Sequence, residues 1–323
     1  MGGYVEGIIA ILCVNLIFAY GVFLTAASGQ LNLGGAGFQA IGAYAAGICS
    51  NFLGFPIFLS VVAGLLGAGF IGFHCTKNLL EDGLEVLGID NISNYYDPRL
   101  KEARLAKLKC FENFTFKKAD IAEKEELTST FKSFSPEKVV HLAAQAGVRY
   151  SIENPYAYLD ANLTGFLNIL ELCRHNRVEG LIYASSSSVY GANTKIPFSM
   201  DDKTDSPISL YGATKKANEL MATSYSKLYG LNTTGLRYFT VYGPWGRPDM
   251  AIFIFTDKIL KSESISVYNH GNMKRDFTYI DDIIAGTRSA MDNNYPCGIF
   301  NLGNHKSENL MDMIGIIENS LGI

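Results

Sequence analysis

Gly67-Ala-Gly-Phe-Ile-Gly72 is the stretch that decides the fold of this chain. It fits the pattern G-x-G-x-x-G, whose glycines allow a tight turn and the close approach of backbone to a pyrophosphate. Residues 70–81 can form a helix, and Leu84-Glu-Val-Leu-Gly-Ile89 is a short apolar strand that ends at Asp90. A dinucleotide fold places a carboxylate at this distance after the glycines, against the adenosine ribose. The spacing therefore predicts a dinucleotide site, and the acid favours NAD because it repels the 2′-phosphate of NADP.

Strands alternate with helices in the rest of the chain. Buried strands are predicted over 138–144 and 181–185, and helical patterns occupy residues 157–175 and 213–229. This alternation predicts an α/β fold, with a Rossmann-like doubly wound parallel sheet that helices cover on both faces.

A candidate catalytic pair follows in Tyr211-Gly-Ala-Thr-Lys215. The i, i+4 spacing places both side chains on one face of a helix. A lysine beside a tyrosine stabilises the phenolate and lowers the pKa of the tyrosine towards the working pH. Taken alone, this pair is also typical of a solvated helix face. The serine run 185–188 at the end of the preceding strand strengthens the catalytic interpretation, although such a run is often only a polar turn.

The first 76 residues differ from the rest, since Glu6 is their only charged residue. Gly7 to Ser28 is an uncharged, mostly apolar run long enough to span a bilayer as a helix. Small and apolar residues continue over 35–50 and 52–73. We therefore predict an all-α membrane-type segment of one to two transmembrane helices over residues 1–60. A secretory signal and a buried soluble segment are weaker alternatives, because the run is too long for the first and too poor in charge for the second.

Composition excludes other classes of protein. The net charge of −4 argues against nucleic acid as the main partner, because phosphate binding requires a basic surface. The six cysteines are scattered and form no C-x-x-C, which favours reduced thiols in a cytosolic protein. The five histidines have no cysteine or histidine at ligand spacing, so we predict no metal site.

Longer runs resemble a known family. From about Gly67 onward the chain is similar to the extended short-chain dehydrogenase/reductase family, the NAD-dependent sugar-nucleotide epimerases and dehydratases. Within that family it most resembles the enzymes that epimerise UDP-glucuronate at C4. The runs that carry the resemblance are residues 88–91, 94–100, 144–155, 237–250 and 275–282.

The resemblance implies a role for each matching position. Ser186 would hydrogen-bond the sugar 4-hydroxyl. Tyr211 would act as the base, and Lys215 would assist Tyr211 and reach the nicotinamide ribose. The implied cofactor-binding residues are Gly67, Gly69, Phe70, Ile71, Gly72, Asp90, Asn91, Asp120, Ile121, Ala143, Ala144, Gln145, Asn162 and Tyr238. The implied substrate-binding residues are Arg149, Ser187, Thr240, Arg247 and Arg275. Guanidinium groups suit the phosphates and carboxylate of a UDP-sugar.

The reaction implied is 4-epimerisation by transient oxidation at C4 and hydride return to the opposite face. Related 4,6-dehydratases carry an Asp-Glu pair after the catalytic hydroxyl residue, and decarboxylases carry a glutamate at the second of these positions. Here Ser187 and Ser188 occupy them. Elimination requires a positioned acid and base, which serines do not supply. Another sugar-nucleotide epimerase and an inactive hybrid chain stay open as alternatives.

The two parts of the chain suggest separate origins. Residues 4–60 resemble the N-terminal part of branched-chain amino-acid ABC transporter permeases, chiefly over the run from Ser28 to Tyr44. We expect an epimerase domain over 61–323, with its cofactor part mainly in 61–242 and a truncated substrate lobe mainly in 243–323. Leu66 stands where the epimerase family has its first glycine and would crowd the pyrophosphate.

The resemblance to the epimerases further implies a homodimer through helices near 153–177 and 211–229. NAD supply would place the enzyme domain in the cytoplasm.

Overall fold

The computed structural model describes residues 60–62 and 69–322. The predicted membrane segment and the permease-like run therefore lie outside the described residues, apart from Ser60, as do Leu66 and Gly67. Among the residues that are described, no helix is both long and apolar enough to cross a membrane. Membrane association through residues 1–60, with the enzyme domain in the cytoplasm, stays a prediction that carbonate extraction of the full chain from membranes would test.

A seven-stranded sheet forms the centre of the described region, in the order β3-β2-β1-β4-β5-β6-β10, and every pairing within it is parallel. Two small sheets pair β7 with β9 and β8 with β11. The strands are β1 (Ser60–Val62), β2 (Glu85–Asp90), β3 (Phe114–Lys118), β4 (Lys138–His141), β5 (Gly180–Ser186), β6 (Thr233–Tyr238), β7 (Thr240–Tyr242), β8 (Lys274–Arg275), β9 (Phe277–Tyr279), β10 (Cys297–Leu302) and β11 (Glu308–Asn309). The predicted doubly wound parallel sheet is confirmed.

Ten described α-helices connect these strands. They are α1 (Phe70–Glu81), α2 (Pro98–Leu108), α3 (Lys124–Phe134), α4 (Tyr150–Glu153), α5 (Pro155–Tyr158), α6 (Phe166–His175), α7 (Leu210–Tyr229), α8 (Ala251–Leu260), α9 (Ile280–Asn293) and α10 (Leu310–Leu321). The helix predicted over 70–81 is confirmed. The one predicted over 157–175 is instead divided, because Pro155 begins a short helix and residues 159–165 form a π-helical turn before α6.

Two apolar layers cover the sheet, one on each face. Val139 packs with α3 and α6, whereas its neighbour Val140 packs with α1 and α9. On β5, Leu181 packs in the same layer as Val139, and Ile182 packs in the same layer as Val140. Successive side chains of a strand point to opposite faces, so a strand buried on both faces is apolar throughout.

The C-terminal part of the chain contributes to both halves of the fold. Phe255, Leu310 and Ile314 form a separate small core between α8 and α10. The helix α9 and the strand β10, however, belong to the main sheet layer, where β10 pairs with β6 over its whole length. Residues 280–302 thus belong to the main sheet layer, although they follow the division predicted near residue 242.

The carboxyl ends of the parallel strands form one edge, where the site is expected. The chain runs from β1 to β2 on one side, and β4 pairs on the other side of β1. Ligands of open α/β sheets bind at such a switch point, because the connections diverge there and leave a crevice.

A core substitution tests this packing. Leu79 on α1 is 0% exposed, whereas Leu260 on α8 is 63% exposed. We expect Leu79→Ala to lower the free energy of unfolding by ~2–5 kcal/mol, because it leaves a cavity. The matched control Leu260→Ala is expected to change it by less than about 0.5 kcal/mol. Urea unfolding followed by circular dichroism measures both, and equal effects would contradict this assignment of the core.

Candidate active site

A cavity of about 310 Å³ opens at the carboxyl ends of the strands. It brings together most of the residues that the sequence predicted. Those that line it are Gly69, Phe70, Ile71, Gly72, Asp90, Asn91, Asp120, Ile121, Ala143, Ala144, Gln145, Ser186, Tyr211, Lys215, Tyr238 and Arg247. Residues that are far apart in the sequence thus line one cavity.

Other predicted residues lie elsewhere. Thr240 lines a second cavity of about 240 Å³, which Arg247 shares with the first. Arg149 is exposed at the start of α4, Ser187 begins the turn after β5, and Arg275 is exposed on β8. These three do not line either cavity. Their assignment to substrate binding stays a prediction, without support from these cavities.

The serine turn and the start of α7 place the candidate catalytic residues together. Ser186 is the last residue of β5, and its hydroxyl donates to the Ser188 hydroxyl at 3.2 Å. Ser209 caps α7, since its Oγ accepts from the backbone N–H of Gly212 at 3.0 Å. A Cβ on Gly212 would lie 2.7 Å from the Ser188 carbonyl oxygen. Only glycine allows α7 to approach the serine turn this closely, which brings Tyr211 to Ser186.

Lys215 lies one turn further along α7 and is buried. Its Nζ donates to the carbonyl oxygen of Ala184 at 2.9 Å, and its side chain is 1% exposed. Burial lowers the pKa of Lys215 to about 8. The ammonium group is therefore charged at neutral pH, but close to losing its proton.

The pKa of Tyr211 differs from the sequence-based expectation. Burial raises it, while a hydrogen bond with Ser186 and the positive charge of Arg247 act to lower it. We expected Lys215 to lower this pKa. The structure corrects that expectation: the amine of Lys215 is directed to the Ala184 carbonyl, and the groups that favour the phenolate are Ser186 and Arg247.

Asp90 at the end of β2 accepts hydrogen bonds from two groups. Its Oδ1 accepts from the backbone N–H of Ile92 at 2.7 Å and from Lys101 Nζ at 3.2 Å. Sequence analysis missed Lys101, together with Tyr95 and Tyr96, all of which line the cavity. Tyr95 and Tyr96 carried a signal in the sequence, because they lie in the connection that leaves the carboxyl end of β2, whereas Lys101 lies in the first part of α2.

Asn162 lies behind the cavity and not in its lining. Its Oδ1 accepts from the N–H of Gln145 at 2.8 Å, and its Nδ2 donates to the Gln145 carbonyl at 3.1 Å and to Thr214 Oγ1 at 3.0 Å. The loop after β4 is thereby tied to α7, the helix of the Tyr-Lys pair. Asn162, which the resemblance assigned to cofactor binding, therefore supports the loop that lines the cavity and does not line the cavity itself.

A buried ion pair lies beneath the same elements. Arg237 on β6 donates to Glu219 on α7 at 2.8 and 3.0 Å, and Ser185 Oγ donates to Glu219 at 2.7 Å. Burial acts to raise the pKa of Glu219, but the bonds from Arg237 and Ser185 hold it below its ordinary value. The carboxylate stays charged, so it fixes β5, β6 and α7 to one another.

The fold and the site together define a Rossmann-type enzyme with a Tyr-Lys pair at the carboxyl edge of its sheet. A model of the NAD dependent epimerase/dehydratase family matches residues 61–303, and the chain belongs to this family. The family match thus begins at β1 and does not include the permease-like residues.

Individual proteins extend this similarity. Protein CapI of Staphylococcus aureus is 53% identical over 273 residues, which cover 79% of this chain and 81% of that protein. UDP-glucuronate 4-epimerase 4 of Arabidopsis thaliana is 50% identical over 273 residues, covering 79% of this chain and 62% of that protein. The crystal structure of UDP-glucuronic acid 4-epimerase from Bacillus cereus, in complex with UDP-glucuronic acid and NAD, has a TM-score of 0.77 and 32% identity. That match covers 82% of this chain and 83% of the other.

The residues around the cavity fit NAD, the cofactor of this family. Gly69 is the N-cap of α1 and provides no side-chain cap, so the first backbone N–H groups of the helix suit a pyrophosphate. The carboxylate of Asp90 suits ribose hydroxyls. Asp120 and the apolar Ile121 suit the adenine.

The position of Asn162 generates a prediction about cofactor retention. Asn162→Ala removes the partners of both backbone groups of Gln145, and unsatisfied buried groups cost ~1–3 kcal/mol of unfolding free energy. We expect less NAD to copurify with this variant than with the wild-type chain. Mass spectrometry of NAD released on denaturation measures the change. Asn293→Ala is the control, since Asn293 is exposed and bonds only within α9. An NAD content and a stability like those of the wild type would contradict the role of Asn162.

Proposed function

We propose that the chain catalyses the NAD-dependent 4-epimerisation of UDP-glucuronate to UDP-galacturonate. The observation that carries this proposal is the convergence of Ser186, Tyr211 and Lys215 on one cavity that Arg247 also lines. Family membership supports the use of NAD, and relatives that act on UDP-sugars support the substrate class.

The chain's own residues handle the proton of the sugar 4-hydroxyl. Tyr211 removes that proton through its phenolic oxygen and returns it once the configuration at C4 is inverted. Ser186 orients the sugar 4-hydroxyl, since its own side chain is hydrogen-bonded to the phenol of Tyr211. Lys215 lines the same cavity, where its ammonium group would donate to the nicotinamide ribose of the cofactor. The bound cofactor supplies reversible hydride acceptance.

The serine turn favours epimerisation over elimination. Ser187 and Ser188 stand where an acid and a base would be needed, and the Ser188 hydroxyl is a hydrogen-bond partner of Ser186. Neither serine can act as a positioned acid at neutral pH. A reaction that leaves the sugar otherwise intact is therefore the one that this set of side chains supports.

Glucuronate as the sugar rests on similarity. The Arabidopsis relative is named a UDP-glucuronate 4-epimerase, and the Bacillus cereus structure holds UDP-glucuronic acid. The basic Arg247 in both cavities is compatible with an anionic ligand. UDP-glucose is the alternative substrate to compare directly.

The first experiment follows product formation by nuclear magnetic resonance with either UDP-sugar. We expect the wild-type chain to convert UDP-glucuronate, and Tyr211→Phe to lower kcat by at least about a hundredfold because it removes the base. Tyr229→Phe, on the exposed C-terminal turn of the same helix, should stay within about twofold of the wild type. Faster turnover of UDP-glucose would overturn the assigned sugar. An NAD-loaded chain that converts neither sugar would overturn the epimerase proposal and support the inactive hybrid.

We also propose that two copies associate through the helices near α7. Apolar side chains are exposed there, with Ile152 81% and Leu228 71% exposed, and Leu220 lies on the same helix as Leu228. Exposed apolar surface of this kind is typical of an interface. These residues lie on α4 and α7, within or next to the segments for which the sequence predicted a homodimer.

A charge placed on this surface tests the association. Leu220→Glu should convert a dimer to a monomer, because a second copy would have to bury the carboxylate without a partner. Leu260→Glu carries the same change on α8 and should leave the dimer intact. Sedimentation velocity of the full chain in mild detergent distinguishes the two masses. A monomeric wild type, or a dimer that Leu220→Glu does not disturb, would contradict this interface.

A further inference from the structure

The loop between β7 and α8 is held by side chains of the first two helices. His74 of α1 donates from Nε2 to the Pro244 carbonyl at 2.9 Å. Arg104 of α2 donates to the Trp245 carbonyl from Nε at 3.1 Å and from Nη2 at 2.5 Å, and to the Gly246 carbonyl from Nη2 at 3.2 Å. Three successive carbonyls are therefore bound by side chains more than 140 residues away in sequence.

Arg104 is fully buried, since it is 0% exposed. Its Nη1 also donates to the hydroxyl of Tyr96 at 2.9 Å, and Tyr96 lines the active-site cavity. One planar guanidinium thus joins a wall of the cavity to the loop. A lysine could not do this, since its ammonium group does not present the same rigid fork of donors.

The loop leads directly to Arg247, which lines both cavities. The Arg247 guanidinium lies 5.8 Å from the centre of the Tyr95 ring and is paired with Asp249. Trp245 has a φ of 62°, a left-handed conformation that bulky residues rarely adopt. The bonds from Arg104 to its carbonyl hold this conformation, and with it the direction in which Arg247 leaves the backbone.

We propose that Arg104 is a positioning residue for substrate binding, which fixes the 244–246 backbone so that Arg247 faces the nucleoside diphosphate of the substrate. This inference rests on the proposed function for the identity of the ligand. Arg104 acts through the loop and through Tyr96, without touching the ligand itself. Misplacement of a binding group by about 1 Å can cost up to ~100-fold in rate or affinity, so the effect is measurable.

The test measures UDP binding by isothermal titration calorimetry on the full, NAD-loaded chain. We expect Arg104→Met to weaken UDP binding by about tenfold or more, and Arg104→Lys to weaken it less. In turnover, the KM for the UDP-sugar should rise by a similar factor while kcat stays within about threefold. Arg99→Met is the matched control, because Arg99 lies on the same helix, is exposed and pairs only locally with Asp97 in the contacts described.

The loop carries its own spectroscopic probe, because Trp245 is the only tryptophan in the sequence. Its ring lies 5.9 Å from that of Phe73 and 5.1 Å from Lys107 Nζ. If Arg104 holds the loop, Arg104→Met should shift the tryptophan emission to longer wavelength and increase its quenching by acrylamide. Arg99→Met should leave both unchanged, and a loss of stability elsewhere in the fold would not produce this selective change.

The outcomes separate this inference from the proposed function. An Arg104→Met chain with wild-type UDP affinity and emission would overturn the positioning role. A wild-type chain that does not bind UDP would overturn the proposed function, and the emission spectra would then still decide whether Arg104 holds the loop.

If neither Arg104 variant folds with NAD, His74→Phe provides a second test. It removes only the hydrogen bond to Pro244 and retains an aromatic ring next to Phe70 and Phe73. Its UDP affinity should then fall by about threefold, and an unchanged affinity would overturn the inference.

Discussion

The buried pair of Arg237 and Glu219 is the interaction on which the site depends. Both side chains are almost fully buried, and desolvation of two charges is costly unless hydrogen bonds satisfy them. Here Ser185 donates to the carboxylate, and Arg237 also donates to the Tyr190 hydroxyl at 2.9 Å. The pair therefore ties the strand that ends in Ser186, the helix of Tyr211 and Lys215, and the strand that ends in Tyr238. Loss of one partner would leave a buried charge next to the segments that carry Ser186, Tyr211 and Lys215.

The parallel sheet provides the second constraint. Ser185 pairs in register with Arg237, and Ser186 pairs with Tyr238. Because the strands are parallel, their carboxyl ends meet at one edge, and residues at or just after the ends of β2, β3, β4, β5 and β6 reach the same cavity. Asn162 adds the loop after β4 to this arrangement, since its side chain satisfies both backbone groups of Gln145. These bonds fix β5, β6, α7 and the loop after β4 relative to one another.

Sequence analysis could predict the parts of the fold that depend on local pattern. The helix from Phe70, the strand before Asp90 and the shared helix of Tyr211 and Lys215 follow from spacing and apolar periodicity. It could not predict contacts that depend on tertiary packing. Lys101 approaches Asp90 only after α2 folds back over β2, and Arg104 reaches the Trp245 carbonyl across 141 residues of chain. The return of β10 to the main sheet was missed for the same reason, because strand pairing at long range leaves no periodic signal.

The protonation states of Tyr211 and Lys215 show what the folded chain contributes to the proposed reaction and what bound ligands would have to add. Burial lowers the pKa of Lys215 to about 8, so this amine is mostly charged at neutral pH. Burial also raises the pKa of Tyr211, so the phenol is neutral under the same conditions. A base needs a pKa near the operating pH. Ser186 and Arg247 favour the phenolate but do not outweigh burial, so the remaining shift has to come from the groups that enter the cavity. The same burial that suppresses the phenolate strengthens the interaction of Tyr211 with every charge brought next to it.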